Sequence, residues 1–119
     1  MANPNGRKGS SFERVIADYL RDNWHDMIDR RVKTGAKDKG DIANFRVGAH
    51  RLVIECKNVK AMNLSGWVRE AQEEALNDDA VAGVAVHKRR GKGDGGEQFV
   101  TMTLADFLRI IRAAEGTLT

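Results

Sequence analysis

Arg51-Leu52-Val53-Ile54-Glu55-Cys56-Lys57, preceded by Gly40-Asp41-Ile42, is the stretch whose reading decides the fold. Arg51 to Asn58 is β-branched and apolar enough to be a strand. Because strand side chains alternate, Leu52, Ile54 and Cys56 share one face and Val53, Glu55 and Lys57 the other. Two charged residues of opposite sign therefore end the second face, and the first reads as core. Asp41 to Val47 is a second strand-like segment, joined to the first through Gly48 as an antiparallel hairpin. A register centred on Gly48 sets Asp41 opposite Glu55 and pairs Ala43 with Val53 and Ile42 with Ile54. A two-residue loop at Gly48-Ala49 would instead set Asp41 opposite Cys56, on the wrong face, so the register demands an odd-length loop or a bulge.

Outward from this hairpin, Ser10 and Glu13 stand in capping-box spacing, which starts a helix at about Ser10 that runs to about Asn23. Phe12, Val15, Ile16, Tyr19 and Leu20 form its apolar stripe. Residues 1–8 are expected to be a flexible N-terminus. Met27 to Val32 reads as a strand, followed by a charged, glycine-bearing loop from Lys33 to Gly40. Asn63-Leu64-Ser65-Gly66 offers capping residues, Ser65 among them, for a helix over about Gly66 to Asn77, with Trp67, Ala71, Glu74 and Ala75 on neighbouring turns. Val81 to His87 is an unbroken small and β-branched run, a strand buried on both faces. Gln98 to Met102 is a short strand. Thr103 to Ala114 is a helix with Leu104, Phe107, Leu108 and Ile111 on one face. The order predicts an α/β fold, a mixed central sheet flanked by helices in an αβββαβ core with a C-terminal short strand and helix.

The chain has 119 residues, 41% of them hydrophobic and 31% charged, which suits one ordinary domain spanning 1–119. No apolar run is long enough to span a bilayer, and the polar start lacks a secretory stretch. With a single cysteine, Cys56, no internal disulfide or multi-cysteine zinc site can form. The expectation is a cytoplasmic protein with no membrane partner. Net charge is +3, unevenly spread: residues 1–60 hold thirteen Lys or Arg against eight Asp or Glu, and residues 61–119 seven against nine. His25, His50 and His87 have no partner at metal-ligand spacing and read as surface residues. Trp24 and Trp67 could stack on bases or pack internally.

Magnesium takes oxygen ligands, commonly one or two protein carboxylates, with water and phosphate completing the shell. Asp41 and Glu55 meeting across a ribbon, with the Lys57 ammonium alongside, would serve it; Asp38 is a second acid beside Asp41, and the hairpin register favours Asp41. Gly40-Asp41-Ile42 followed by Ile54-Glu55-Cys56-Lys57 resembles the signature of the PD-(D/E)XK nuclease superfamily. Phe12-Glu13-Arg14 on the leading helix resembles, more narrowly, Holliday-junction resolvases of archaeal and phage type. The literal Pro-Asp is absent, Lys39-Gly40 standing before Asp41.

That resemblance implies a magnesium-dependent DNA endonuclease, in which manganese also serves, working as a homodimer on a four-way junction. By position it makes Asp41 and Glu55 metal ligands, with the backbone carbonyl of Cys56, and gives Lys57 the attacking water. Glu13 matches the family's helix carboxylate, although a capping glutamate would occupy the same place. Arg14, Arg30 and Arg31 match phosphate-holding residues, and Gln72 falls where related nucleases carry a helical glutamine. Lys33, Lys37, Lys39 and the run Lys88-Arg89-Arg90-Gly91-Lys92 are expected to line a phosphate-tracking groove. The alternatives are another nicking or restriction-like nuclease on the same core, or a non-catalytic DNA-binding subunit.

Overall fold

Two parallel strands, β4 (His50–Lys57) and β5 (Ala82–His87), lie side by side at the centre of the fold. The computed structural model describes residues 4–32, 35 and 37–118, with 4–8 as backbone only. The connection between β4 and β5 is the helix α2 (Leu64–Asn77), as a parallel pair requires. β4 is flanked on its other side by β3 (Arg46–Val47) and β5 by β6 (Phe99–Thr101), both antiparallel, giving a four-stranded mixed sheet of order β3-β4-β5-β6. A second, two-stranded sheet pairs β1 (Asp29–Arg30) with β2 (Ile42–Ala43). Helices α1 (Pro4–Asn23) and α3 (Leu104–Glu115) complete the chain. The predicted α/β order is present, with the second strand divided into β2 and β3.

Every residue of β5 is buried, as its small and β-branched run predicts. On one face of the sheet Leu52, Ile54, Val84 and Val86 cluster with Phe12, Ile16 and Ala17 of α1, and with Ile28 and Ile42. Alternation turns Val53, Glu55 and Lys57 to the other face, where α2 buries Trp67, Ala71, Glu74 and Ala75. Gly83 makes the close approach of α2 to β5 possible: a Cβ there would lie 2.0 Å from the carbonyl oxygen of Ala71.

Several local expectations are corrected. Helix α1 begins at Pro4 and not at Ser10; Ser10 and Glu13 stand in its interior and form no capping box. Its inward face turns toward Ala17, leaving Val15 and Tyr19 partly exposed. The hairpin closes with the two-residue loop Gly48-Ala49, pairing Val47 with His50 and Arg46 with Arg51, so the register centred on Gly48 is not the one adopted. The ladder breaks at Asn44, whose φ is 67° and whose side-chain amide donates to the carbonyl of Met27. Before this break the Asp41 amide donates to Ile54 O at 2.9 Å, a pairing offset from that of the hairpin end. His87 is buried, its Nε2 within 2.8 Å of Thr101 Oγ1 and its ring between Trp67 and Phe99. Trp67 is core, whereas Trp24 is exposed.

Candidate active site

The break at Asn44 returns Asp41 to the β4 ladder at a point where its side chain completes what backbone leaves unfinished. Its Oδ2 accepts from the Cys56 amide at 2.8 Å. Gly40 permits this approach, with a φ of 93° and a position where a Cβ would lie 2.8 Å from Val53 Cγ1. On β4 the odd residues bond toward β5, as Lys57 O does with the Lys88 amide, so the even ones bond the other way. The carbonyl of Cys56 therefore points to the same side as its amide, toward Asp41.

Asp41 and Glu55 are 3% and 5% exposed, and Asp41 lies close enough to act on the acidity of Glu55. Glu74 of α2, itself 5% exposed, faces Glu55. Carboxyl oxygens of Asp38, Glu55 and Glu74 all lie within 4.8 Å of one another. Asp38 is exposed, so the cluster opens to solvent there. Burial first, and then the neighbouring Glu74, push Glu55 up to about 8 despite the opposing effect of Asp41. Glu74 is pushed up to about 7, by burial and then by the charges of Asp38, Asp41 and Glu70 against the opposing Glu55 bond. The Cys56 thiol is raised by burial and by the surrounding carboxylates, so it is no nucleophile.

Lys57 leaves the same face of β4 and donates to Glu70 Oε2 at 2.8 Å. Burial opposes its charge, but Glu70, with Glu55 and Asp41, outweighs burial and raises its pKa. β4 and β5 end together at Lys57 and His87, so the basic loop starts beside Lys57; Lys57, Lys60, Lys88 and Arg90 line one small cleft there. Gln98 holds this loop in shape, accepting from the Arg89 amide and donating to the carbonyls of Lys92 and Asp94.

The remaining site expectations divide. Glu13 pairs with Arg30 at 3.2 Å and lies near enough to Cys56 to raise its thiol. Arg14 is engaged by Asp18 and Asp29, Arg31 by the buried Asp78, and Arg89 by Glu97. The Lys88 ammonium caps the carbonyls of Arg89 and Lys92 within its own loop. Lys37, Lys39, Arg90 and Lys92 are exposed; Lys33 lies outside the described residues. Gln72 is directed away from the cluster, its amide 3.5 Å from Thr103 Oγ1 and Asp106 Oδ2. Glu74 and Glu70 were not anticipated as site residues. The signal for Glu74 was a carboxylate at a stripe position of α2; nothing marked Glu70 beyond its placement one turn earlier.

A buried, mutually protonating set of acids beside a charged lysine, at one end of a mixed sheet, is poor structural design and suits a cation. The family model described as "Phage putative PDDEXK endonuclease" matches residues 5–114. The chain belongs to this family. It is thus a PDDEXK endonuclease, a metal-dependent phosphodiester hydrolase whose substrate is DNA. No curated protein and no solved structure matches it. In this endonuclease the acidic cluster fits a divalent cation on its own terms: Glu74 Oε1 is buried without a hydrogen-bond partner, and hard oxygen donors of Asp38, Glu55 and Glu74 lie within 4.8 Å of one another. Among the described residues, no helix of the endonuclease is long and apolar enough to cross a membrane.

Proposed function

We propose that the chain is a magnesium-dependent, structure-selective DNA endonuclease, a Holliday-junction resolvase that works as a homodimer on four-way junctions in the cytoplasm. The observation that carries the nuclease part is the convergence of Asp38, Glu55 and Glu74, with Asp41 alongside on the Cys56 amide and Lys57 leaving the same face of the strand. The resolvase part is supported by the Phe12-Glu13-Arg14 stretch of α1.

In this reading Asp41, Glu55 and the Cys56 carbonyl hold the metal, with Asp38 and Glu74 completing or adjusting its oxygen shell; manganese substitutes. The bound ion supplies Lewis acidity, polarising the scissile phosphate and offsetting charge that builds on it. Lys57, kept charged by Glu70, serves as an ammonium and not as a base: it orients the attacking water and favours its hydroxide-like form. The water oxygen bonds to phosphorus, a phosphorus–oxygen ester bond breaks, and the released proton has the carboxyl cluster as an acceptor. Glu13 acts at the edge of the site through Arg30. Lys37 and Lys39, beside Asp38, and Arg90 and Lys92 of the basic loop follow the phosphate backbone without reading bases, so recognition is of shape.

Asp41→Asn and Glu55→Gln are expected to lower magnesium-dependent cleavage by at least about 100-fold, since each removes a charge on which the metal depends. The measurement is nicking of junction, flap, single-stranded and duplex DNA in parallel. Equal cutting of all four would remove the resolvase reading and leave the nuclease; undiminished cutting by Asp41→Asn would remove the site.

A further inference from the structure

Helix α3 presents its most apolar stripe to solvent. Leu104, Phe107, Leu108 and Ile111 are 75%, 47%, 53% and 44% exposed, while Ala113 is buried and Ile110 only partly packed. Polar ties hold the helix in this orientation. Arg109 Nε donates to Val81 O at 2.8 Å, and Thr103 Oγ1 accepts from the Asp106 amide at the helix start. At the other end Gly48 and Ala113 sit so close that a Cβ on Gly48 would lie 3.0 Å from Ala113 O. These contacts set which face of the helix lies inward, and the stripe is on the other. Its four side chains expose on the order of 450 Å² of mostly apolar surface, within the range of the largest such patch on a typical monomer, where patches are often functional. Beside it in sequence, Phe99 and Val100 of the edge strand β6 are also half exposed.

We propose that α3 is the contact between two copies of the chain, packed antiparallel about a two-fold axis. The area selects a protein partner of this size: two stripes together remove about 900 Å² of apolar surface, and a polar rim brings the total to the roughly 1,200 Å² at which specific interfaces begin. The spacing 104, 107, 108, 111 reads the same in both directions, so Leu104 of each copy meets Ile111 of the other and Phe107 meets Leu108. Charge disfavours DNA on this face, because α3 carries Asp106 and Glu115 against Arg109 and Arg112 and is neutral overall. The location agrees with two working sites. α3 packs at Val81 and Gly48, where β5 begins and the hairpin turns, whereas Glu55 and Lys57 stand toward the opposite end of β4. Pairing through α3 leaves both acidic clusters clear of the interface.

This deepens the two-subunit part of the reading above, and its test is independent of cleavage. Sedimentation equilibrium of the full chain between about 5 and 100 µM should give twice the chain mass of 13.2 kDa. Phe107→Glu with Leu108→Glu should give the single-chain mass with an unchanged circular dichroism spectrum. Leu104→Lys, at the most exposed of the four positions, should weaken association at least about 10-fold and decides the matter if the double variant does not fold. Met62→Glu, 66% exposed in the cleft beside Lys57 at the other end of the sheet, should leave the mass doubled. A dimer that persists unweakened in the α3 variants overturns this surface and leaves a dimer formed elsewhere. A single-chain mass for the unaltered protein at 100 µM overturns the surface and the two-subunit reading together.

Discussion

Glu55 and Glu74 keep protons into the neutral range because each faces other carboxyls in a buried space, and this links stability to pH. Their folded-state values, about 8 and about 7, stand above the ordinary 4.5. As pH rises, the unfolded chain therefore releases these protons first, and the folded state loses stability from about pH 4.5 until the folded values are passed. In a chelator, the melting temperature is expected to fall between about pH 5 and 8.5, by an amount on the order of a few kcal/mol in stability. Magnesium should remove most of that slope, because it takes the protons' place. Glu74→Gln should raise the melting temperature in chelator at pH 8 and shrink the stabilisation by magnesium. A melting temperature indifferent to pH across this window, with chelator present, would mean that the acids are not coupled.

At the scale of elements, the site depends on how closely α2 lies on β5. Glu70 and Glu74 reach Lys57 and Glu55 only because Gly83 lets the Ala71 carbonyl sit where a side chain would otherwise be. Gly83→Ala forces backbone against backbone and should displace α2, costing about 1–3 kcal/mol in chemical denaturation. Cleavage should drop with it, by about 10-fold or more, as the carboxyls on α2 move off those on β4. If Gly83→Ala denatures at the same midpoint and cuts at the same rate, α2 does not set the geometry. The β2–β3 element matters in a similar way, since the break at Asn44 brings Asp41 to Cys56.

For the molecule as a whole, exposed cations lie beside the acidic opening, on the loop before Asp41 and on the one Gln98 holds after β5. DNA affinity should therefore fall steeply with salt, with the logarithmic slope set by the number of phosphates neutralised. Arg90→Ala with Lys92→Ala should flatten that slope by up to about 2 while weakening all DNA forms alike, read by fluorescence anisotropy in calcium to prevent cutting. An unchanged slope would take this loop out of the DNA path. Arg31 is expected to contribute nothing to the slope, because Asp78 already holds it inside the fold.

Periodicity and spacing were enough to read the α/β order, the doubly buried strand before His87, the cap at Thr103, and the two faces of β4, and they placed the α2 cap within Asn63 to Gly66 without singling out Asn63. Those features are local: each follows from what a few neighbouring residues do to the backbone or to one face of an element. The sequence also brought Asp41, Glu55 and Lys57 under one motif, but the symmetric hairpin offered as the reason is not how they meet. A break at Asn44 and a side chain bonding to a backbone amide bring Asp41 in, and no pattern along β2 or β3 reports either. Tertiary structure decided that Asp38, ranked second to Asp41 on the sequence, is the acid that lies with Glu55 and Glu74, that Lys57 is held by Glu70, and that the stripe of α3 faces outward. Each of these depends on how elements distant in sequence approach one another. Amphipathic spacing shows that a helix has an apolar face, and only packing shows which face the rest of the chain covers.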